Sequence, residues 1–315
     1  MVGERPGVSA VTPPRVLGWL ALLVLFSLAV PPPASAHVRT GGIAVDFRAD
    51  VLRTPTGVTA RVYESDLAVR VSAAEGRRVV VLDYLGEPFI RIGPAGAAVS
   101  KTSPTAGGAK AVVQRRSVVW HHARVRGLAS GIERKRWAIP LIVDGHRTRL
   151  EGEVWRVRAP PAWPWIVLCA PFLVLVGLLV AVRRTRLIRA AAVAFGLAAA
   201  VGVVVTGAGF ALNASTSEGK WLEAANELAF VLVGLLFVLR GKPDTRAIAG
   251  GALGLLALAV GLSDLAVFRH GVVLSVLSSN LVRTIVALTI AMGAAATCMG
   301  LVIFAAAVDA PVDEP

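Results

Sequence analysis

Long apolar runs separated by basic connections dominate the second half of the chain. Residues 165–182 carry no charged side chain, and at about 1.5 Å per residue such a run crosses the roughly 30 Å apolar core of a bilayer. Small residues recur at four-residue spacing, as at Gly250 and Gly254, which predicts close helix packing. The pattern predicts five transmembrane helices, over residues 165–182, 190–212, 221–239, 247–268 and 284–307.

Aromatic and basic residues predict the orientation of these helices. Trp163 and Trp165 suit one membrane interface, and the arginines up to Arg189 suit the cytoplasmic side. The loop that holds Arg240 and Arg246 is also basic, in agreement with the same topology. We therefore expect a multi-pass protein of the plasma membrane, with the region before the first helix outside the cell and residues 309–315 as a cytoplasmic tail.

The amino-terminal segment has the pattern of a secretory signal. Arg5 and Arg15 precede an apolar run from Leu17 to Val30, and Ala34-Ser35-Ala36 supplies the small residues of a cleavage site. We expect residues 1–36 to be a signal peptide removed before His37. An uncleaved membrane anchor is the alternative.

The intervening region, residues 37–159, has the two-residue period of β-strands. Apolar residues alternate with polar ones around Val58 and Val69, and Gly, Pro, Asp and Ser interrupt the pattern about every ten residues. Asp144-Gly145 indicates a hairpin turn. The predicted fold is an all-β sandwich ectodomain, immunoglobulin-like or cupredoxin-like, followed by an all-α membrane domain over residues 160–308.

Composition agrees with an envelope protein. The 315 residues are 55% hydrophobic with a mean hydropathy of +0.68, and the net charge is +13. An exported basic domain meets anionic headgroups and wall polymers, so we expect contact with the lipid bilayer and not with nucleic acid. Cys169 and Cys298 both fall in predicted spans, so the exported region has no disulfide.

Residues 271–283 precede the fifth predicted span without matching a transmembrane helix. A continuous helix from there to Ala307 would be far longer than a bilayer is thick. We predict a short interfacial or re-entrant segment, with Ser279 or Asn280 capping the last helix.

Four of the five histidines lie in the predicted exported region, at positions 37, 121, 122 and 146. Cleavage before His37 would leave a free amine and an imidazole on one residue, and Cu(II) favours such nitrogen ligands. His121 and His122 are adjacent in a strand, so only one of them can join a given site. His146 follows the predicted turn, where exposure is expected. Copper is the predicted metal; solvated surface histidines are the alternative, because no metal-ligand spacing is present.

A second candidate site lies in the membrane region. Glu223, Asn226 and Glu227 follow a helical spacing of three and four near the end of the third span, and Asp264 lies at a comparable depth with His270 beyond it. Ionisable groups near a span usually face a cavity or one another. A small polar site and a structural clamp at the interface both fit this pattern.

Part of the chain resembles a known family. Gly86-Glu87-Pro88-Phe89-Ile90-Arg91-Ile92-Gly93-Pro94, Ser103-Pro104, Trp120-His121-His122-Ala123-Arg124, Trp137-Ala138-Ile139-Pro140-Leu141, Val143-Asp144-Gly145 and Trp163-Pro164-Trp165 resemble, in order and spacing, an uncharacterised family of actinobacterial membrane proteins. The resemblance implies an exported β domain before a helical membrane region, often encoded near secreted copper-resistance proteins. Family members commonly have Trp-His-Asp-His-Arg where this chain has Trp120-His121-His122-Ala123-Arg124. His122 and Ala123 thus stand where the family has an aspartate and a second histidine.

These observations predict a non-enzymatic envelope protein, since the chain has none of the common hydrolase, metalloprotease, redox or phosphate-loop motifs. The leading hypothesis is a β domain that binds or transfers copper through His37 and His121. A scaffold or sensor that binds an envelope protein partner is the alternative. A small transporter that uses Glu223, Glu227 and Asp264 is a third, although five spans leave little room for a pathway.

Overall fold

The computed structural model of the protein describes residues 42–64, 67–100, 103, 111–125, 128–182, 184–213 and 218–308. The predicted signal peptide, His37 and the predicted cytoplasmic tail lie outside these residues. Residues 42–304 belong to one compact unit.

The first part of this unit, the β domain (residues 42–157), is built from short strands. These are β1 Ala44–Val45, β2 Phe47–Arg53, β3 Val58–Tyr63, β4 Ala68–Ala73, β5 Val79–Leu82, β6 Pro88–Gly93, β7 Gly96–Val99, β8 Ala111–Gln114, β9 Ser117–His121, β10 Arg134–Val143 and β11 His146–Arg156. A six-stranded antiparallel sheet has the order β2-β11-β10-β5-β6-β7, and a four-stranded sheet has the order β3-β4-β9-β8. The region is therefore rich in β-sheet and sandwich-like, as predicted.

Apolar side chains from both sheets form the core of the β domain. Along β10, Trp137, Ile139 and Leu141 are buried while their neighbours are not, as the two-residue period requires. The Trp120 indole on β9 is buried and contacts the Phe89 ring edge-on, with the ring centroids 6.4 Å apart. Burial of these surfaces is the main term that holds the two sheets together.

Three backbone positions in the long β10–β11 hairpin depend on residue type. Asp144 and Gly145 both have positive φ, 50° and 87°, which is the geometry of a tight hairpin turn and confirms the predicted turn. A Cβ on Gly152 would overlap the Trp137 ring and the carbonyl oxygen of Asp50. Glycine at this position lets the indole pack across β11.

Helices make up most of the chain after the β domain and form the helical bundle. They are α1 Trp163–Val182, α2 Thr185–Asn213, α3 Glu218–Arg240, α4 Pro243–Ser263, the short α5 Ala266–Arg269 and α6 Ser279–Val308. Five helices in the described part of the chain are long and apolar enough to cross a membrane, which confirms the predicted number. The protein is therefore an integral membrane protein with several spans.

Glycines bring three of these helices into close contact. A Cβ on Gly250 of α4 would lie 2.6 Å from the carbonyl oxygen of Ala192 on α2. On the next face of α4, a Cβ on Gly251 would lie 2.8 Å from the Cα of Gly300 on α6. Such backbone contacts are how helices pack in lipid, where hydrophobic burial contributes little.

The chain leaves helical geometry between α4 and α6. Asp264 and Leu265 interrupt the predicted fourth span, and the short α5 follows. Val272–Val273 forms a further strand, β12, which pairs antiparallel with β1 of the β domain. Residues 271–278 are thus a non-helical segment, and α6 begins at Ser279, the residue proposed as its cap. The Ser279 hydroxyl, however, accepts a hydrogen bond from Val273 N, 3.3 Å away.

Candidate functional site

The histidines of the β domain lie in three different environments. His121 ends β9 and is half-buried, His122 follows it and is buried, and His146 is exposed at the start of β11. Nowhere in the described ranges do three His, Cys, Asp or Glu side chains come together to hold a metal ion. His37 lies outside those ranges.

His122 belongs to the packing of the β domain. Its Nδ1 accepts a hydrogen bond from Arg124 N at 3.1 Å and lies 3.4 Å from the Tyr84 hydroxyl, and its ring lies edge-on to Trp120 with centroids 6.1 Å apart. Burial, together with the nearby charge of Arg124, lowers the pKa of His122 to about 4. The imidazole is therefore neutral at physiological pH, and its Nδ1 lone pair is already used.

The structure brings together three of the polar residues predicted in the membrane region. The carboxylates of Glu223 and Asp264 lie within electrostatic range of Glu227. A Cβ on Gly207 of α2 would overlap Oε2 of Glu227, so the carboxylate of Glu227 lies against that helix. The acidic group thus lies where α2, α3 and the end of α4 meet.

His270 does not join this acidic group. The Asn226 side chain is exposed. His270 Nδ1 lies 3.0 Å from Oδ2 of Asp46, the residue between β1 and β2. His270 thus contacts the β domain, so the predicted polar cluster divides between the bundle and a junction with the β domain.

This junction is formed by residues 43–46 and 270–274. Besides the β1–β12 pairing, Leu274 N donates to the carbonyl oxygen of Ile43 at 2.8 Å, and Gly271 N donates to Oδ1 of Asp46 at 3.2 Å. Asp46 also accepts through its backbone oxygen from Val157 N, at 2.9 Å. The start of the β domain is therefore tied directly to the segment between α4 and α6, and the residue that follows β11 is tied to the same place through Asp46.

Arg283, on the first turns of α6, anchors the other side of the segment. Its side chain is 2% exposed and donates to the backbone oxygens of Val267, His270 and Gly271 at 2.8, 2.9 and 3.0 Å. The guanidinium also lies over the Trp165 ring at 5.7 Å. A single arginine thus donates hydrogen bonds to backbone carbonyls at the end of the bundle, where the chain departs from regular helical structure.

Sequence reasoning missed both Asp46 and Arg283. A lone arginine one turn inside an apolar helix is a recognisable signal, because such a charge is costly in lipid unless it is fully paired. Asp46 gives no such signal, since its partners Gly271 and His270 are far away in the sequence. The hydrogen bonds of the junction fix the β domain to the bundle.

Comparison with known proteins adds no family assignment. No protein-family model, no curated protein and no solved structure matches the chain. The resemblance to actinobacterial membrane proteins therefore stays a prediction.

Proposed function

We propose that this protein is a non-enzymatic envelope scaffold or sensor, which holds its β domain in a fixed orientation on the membrane and presents it to a protein partner. The observation that carries the proposal is the junction. A tethered ligand-binding domain needs only a flexible linker, whereas here β1, Ile43 and Asp46 are hydrogen-bonded to the non-helical segment that Arg283 supports. Fixed orientation is useful to a protein that must be recognised at the membrane surface.

The positions of the basic residues support an extracytoplasmic β domain. Arg184 and Arg186 lie between α1 and α2, and Arg240 and Lys242 lie between α3 and α4. Since the β domain precedes α1, both connections lie at the opposite membrane face from it. Basic connections favour the cytoplasmic side, so the β domain faces outward.

An exposed edge strand is the surface that we assign to the partner. β8 forms one edge of the four-stranded sheet, and its side chains Val112 and Val113 are 40% and 46% exposed. Edge strands with exposed apolar residues pair readily with an added strand. A partner that supplies an extended segment fits this edge.

In-cell photocrosslinking tests the proposal. A photoreactive amino acid at Val112 of the full chain should give a discrete crosslinked partner. Arg283→Met should weaken this crosslink at equal protein level, because the β domain loses its fixed orientation. Arg186→Met is the matched control, since Arg186 is exposed on the opposite face, and it should leave the crosslink unchanged. An absent crosslink, or one that both variants leave intact, contradicts the scaffold role.

The copper hypothesis has no support from the described histidines. His121, His122 and His146 do not belong to any group of three metal-binding side chains among the described residues. The hypothesis depends on the amino-terminal chelate of His37, which lies outside the described residues. Copper binding stays a prediction from the sequence.

A further inference from the structure

A cavity of about 370 Å³ lies where the β domain meets the bundle. Arg48 of β2, Arg61 of β3 and Glu64 line one side of it, and the non-helical segment through Ser278 lines the other. Asn213, the last residue of α2, also contributes. Because α2 ends and α6 begins at this level, the cavity lies at the membrane surface, where phosphate headgroups are found.

The two arginines give the cavity a positive charge that the Glu64 carboxyl offsets only in part. Neither the Arg48 nor the Arg61 guanidinium forms an ion pair with a carboxylate in the described part of the chain. The Arg61 guanidinium lies over the Tyr63 ring, 5.0 Å from its centroid, so its position is restrained. Restrained guanidinium groups match the geometry of phosphate oxygens.

Among the described residues, Glu64 is the one carboxylate that lines the cavity, and its surroundings limit its effect on an anion. Its Oε1 accepts a hydrogen bond from Ala49 N at 3.1 Å, which directs that oxygen toward the backbone of β2. Burial raises the pKa of the Glu64 carboxyl, although the Ala49 hydrogen bond and the charge of Arg48 oppose the shift. In the described lining, two arginines thus face a single, partly desolvated carboxyl group.

The amino-terminal end of α6 adds uncharged donors to the same wall. Ser278 and Ser279 line the cavity, and the first-turn amides of a helix have no acceptor within the helix. No acidic residue occupies the first turn of α6, so nothing there competes with a bound anion. Arginines, hydroxyls and helix amides together are the groups that phosphate sites use.

We propose that this cavity binds a phosphoryl group, either the phosphodiester of an anionic lipid headgroup or free phosphate. The volume suits a headgroup and is too small for a whole lipid. The role goes beyond partner presentation and does not depend on it, because the ligand contacts the junction and not the β8 edge. A bound headgroup would hold the β domain against the leaflet on its own side.

The lipid arm of the test measures which lipid the full chain retains. The protein is incubated with vesicles of equal phosphatidylglycerol and phosphatidylcholine and released in neutral detergent, and the retained lipid is measured by native mass spectrometry. We expect phosphatidylglycerol to be enriched, and the double variant Arg48→Ala/Arg61→Ala to lower the enrichment about tenfold. Glu64→Gln should raise it, because the variant removes the opposing charge.

The matched control removes two other arginines of the β domain. Arg53 and Arg147 are exposed and form no ion pair with a carboxylate among the described residues. Arg48 pairs with Trp155 on β11, and Arg147 lies roughly 25 Å further along that strand. Arg53→Ala/Arg147→Ala therefore changes the net charge equally without touching the cavity, and it should keep the enrichment.

The soluble arm titrates inorganic phosphate into the full chain in neutral detergent and follows the heat of binding. Phosphate binding without lipid enrichment, lost in the Arg48/Arg61 variant, supports the proposal with a soluble anion as the ligand. Lipid enrichment that the variant loses supports it with a headgroup as the ligand. Absence of both signals, or an equal loss in the Arg53/Arg147 control, overturns the proposal. Glu64→Gln keeps the test valid if the arginine variant fails to fold.

Discussion

Acidification should destabilise the β domain through His122. The imidazole is buried against Trp120 and Tyr84, and its Nδ1 accepts the Arg124 amide hydrogen, so adding a proton there breaks that bond and places a charge in the core. In the unfolded chain the same imidazole is solvated and takes a proton freely near its ordinary pKa of 6.5. Protonation therefore favours the unfolded state.

The size of the effect follows from the difference between the two pKa values. A histidine whose pKa falls from 6.5 to about 4 on folding changes the free energy of unfolding by about 3 kcal/mol in total. Because the depressed value belongs to the folded state, the unfolded state binds more protons between these pH values, and stability falls as the pH falls through this window. Between about pH 7.5 and about pH 4.5 the loss should be about 2.5 kcal/mol.

Urea unfolding of the full chain in mild detergent, followed by tryptophan fluorescence, measures this loss. His122→Gln should remove most of the dependence on pH in this window, although it lowers stability at neutral pH. His146→Gln, which changes an exposed histidine on the β10–β11 hairpin, should retain the wild-type dependence. If the His122 variant loses as much stability on acidification as the wild type, the assignment of a buried neutral imidazole is wrong.

Four further outcomes test the architecture. Arg283→Met should lower the free energy of unfolding by about 3 kcal/mol or more, since it leaves buried carbonyls without donors, and hydrogen exchange should rise first at β1 and β12. Gly250→Leu should separate α2 from α4 and lower the melting temperature, whereas Gly177→Leu on α1, where a Cβ meets nothing within 4 Å, should not. Gly152→Val should unfold the β domain, detected as loss of near-ultraviolet dichroism, because its side chain overlaps Trp137. Mature protein that begins at His37 should bind Cu(II) through the amino-terminal amine and imidazole, and His37→Ala should abolish that binding in a titration.

Periodicity predicted the elements whose burial is regular. The five spans follow from uninterrupted apolar runs, and β10 follows from alternate burial of Trp137, Ile139 and Leu141. β2, an edge strand of the six-stranded sheet, was not predicted from the sequence, although Phe47, Ala49 and Val51 alternate with the more exposed Arg48 and Asp50.

The candidate site was predictable only where its residues lie close in the sequence. The spacing of Glu223 and Glu227 placed them on one helical face, and the structure brings Asp264 to them. His270 was placed with this group by its depth, yet it contacts Asp46. Asp46 and His270 are far apart in the sequence, and no local sequence pattern indicates such a contact.

The junction also answers a problem that the membrane sets for the bundle. A helix that continued from residue 271 to residue 307 would be roughly 55 Å long, well beyond the roughly 30 Å apolar core, so the chain has to leave helical geometry at the membrane surface. Backbone groups released by that break need partners, because unpaired polar groups are costly near lipid.

The β domain supplies several of the missing partners. β1 pairs with β12, Ile43 accepts from Leu274 N, and the Asp46 carboxylate accepts from Gly271 N. From the other side, the Arg283 guanidinium donates hydrogen bonds to the carbonyl oxygens of Val267 and Gly271. The bundle thus relies on the β domain to complete its own hydrogen bonding, and the β domain relies on the bundle for its position. For this reason an isolated β domain is not equivalent to the same domain in the full chain, and a ligand held between them stabilises both.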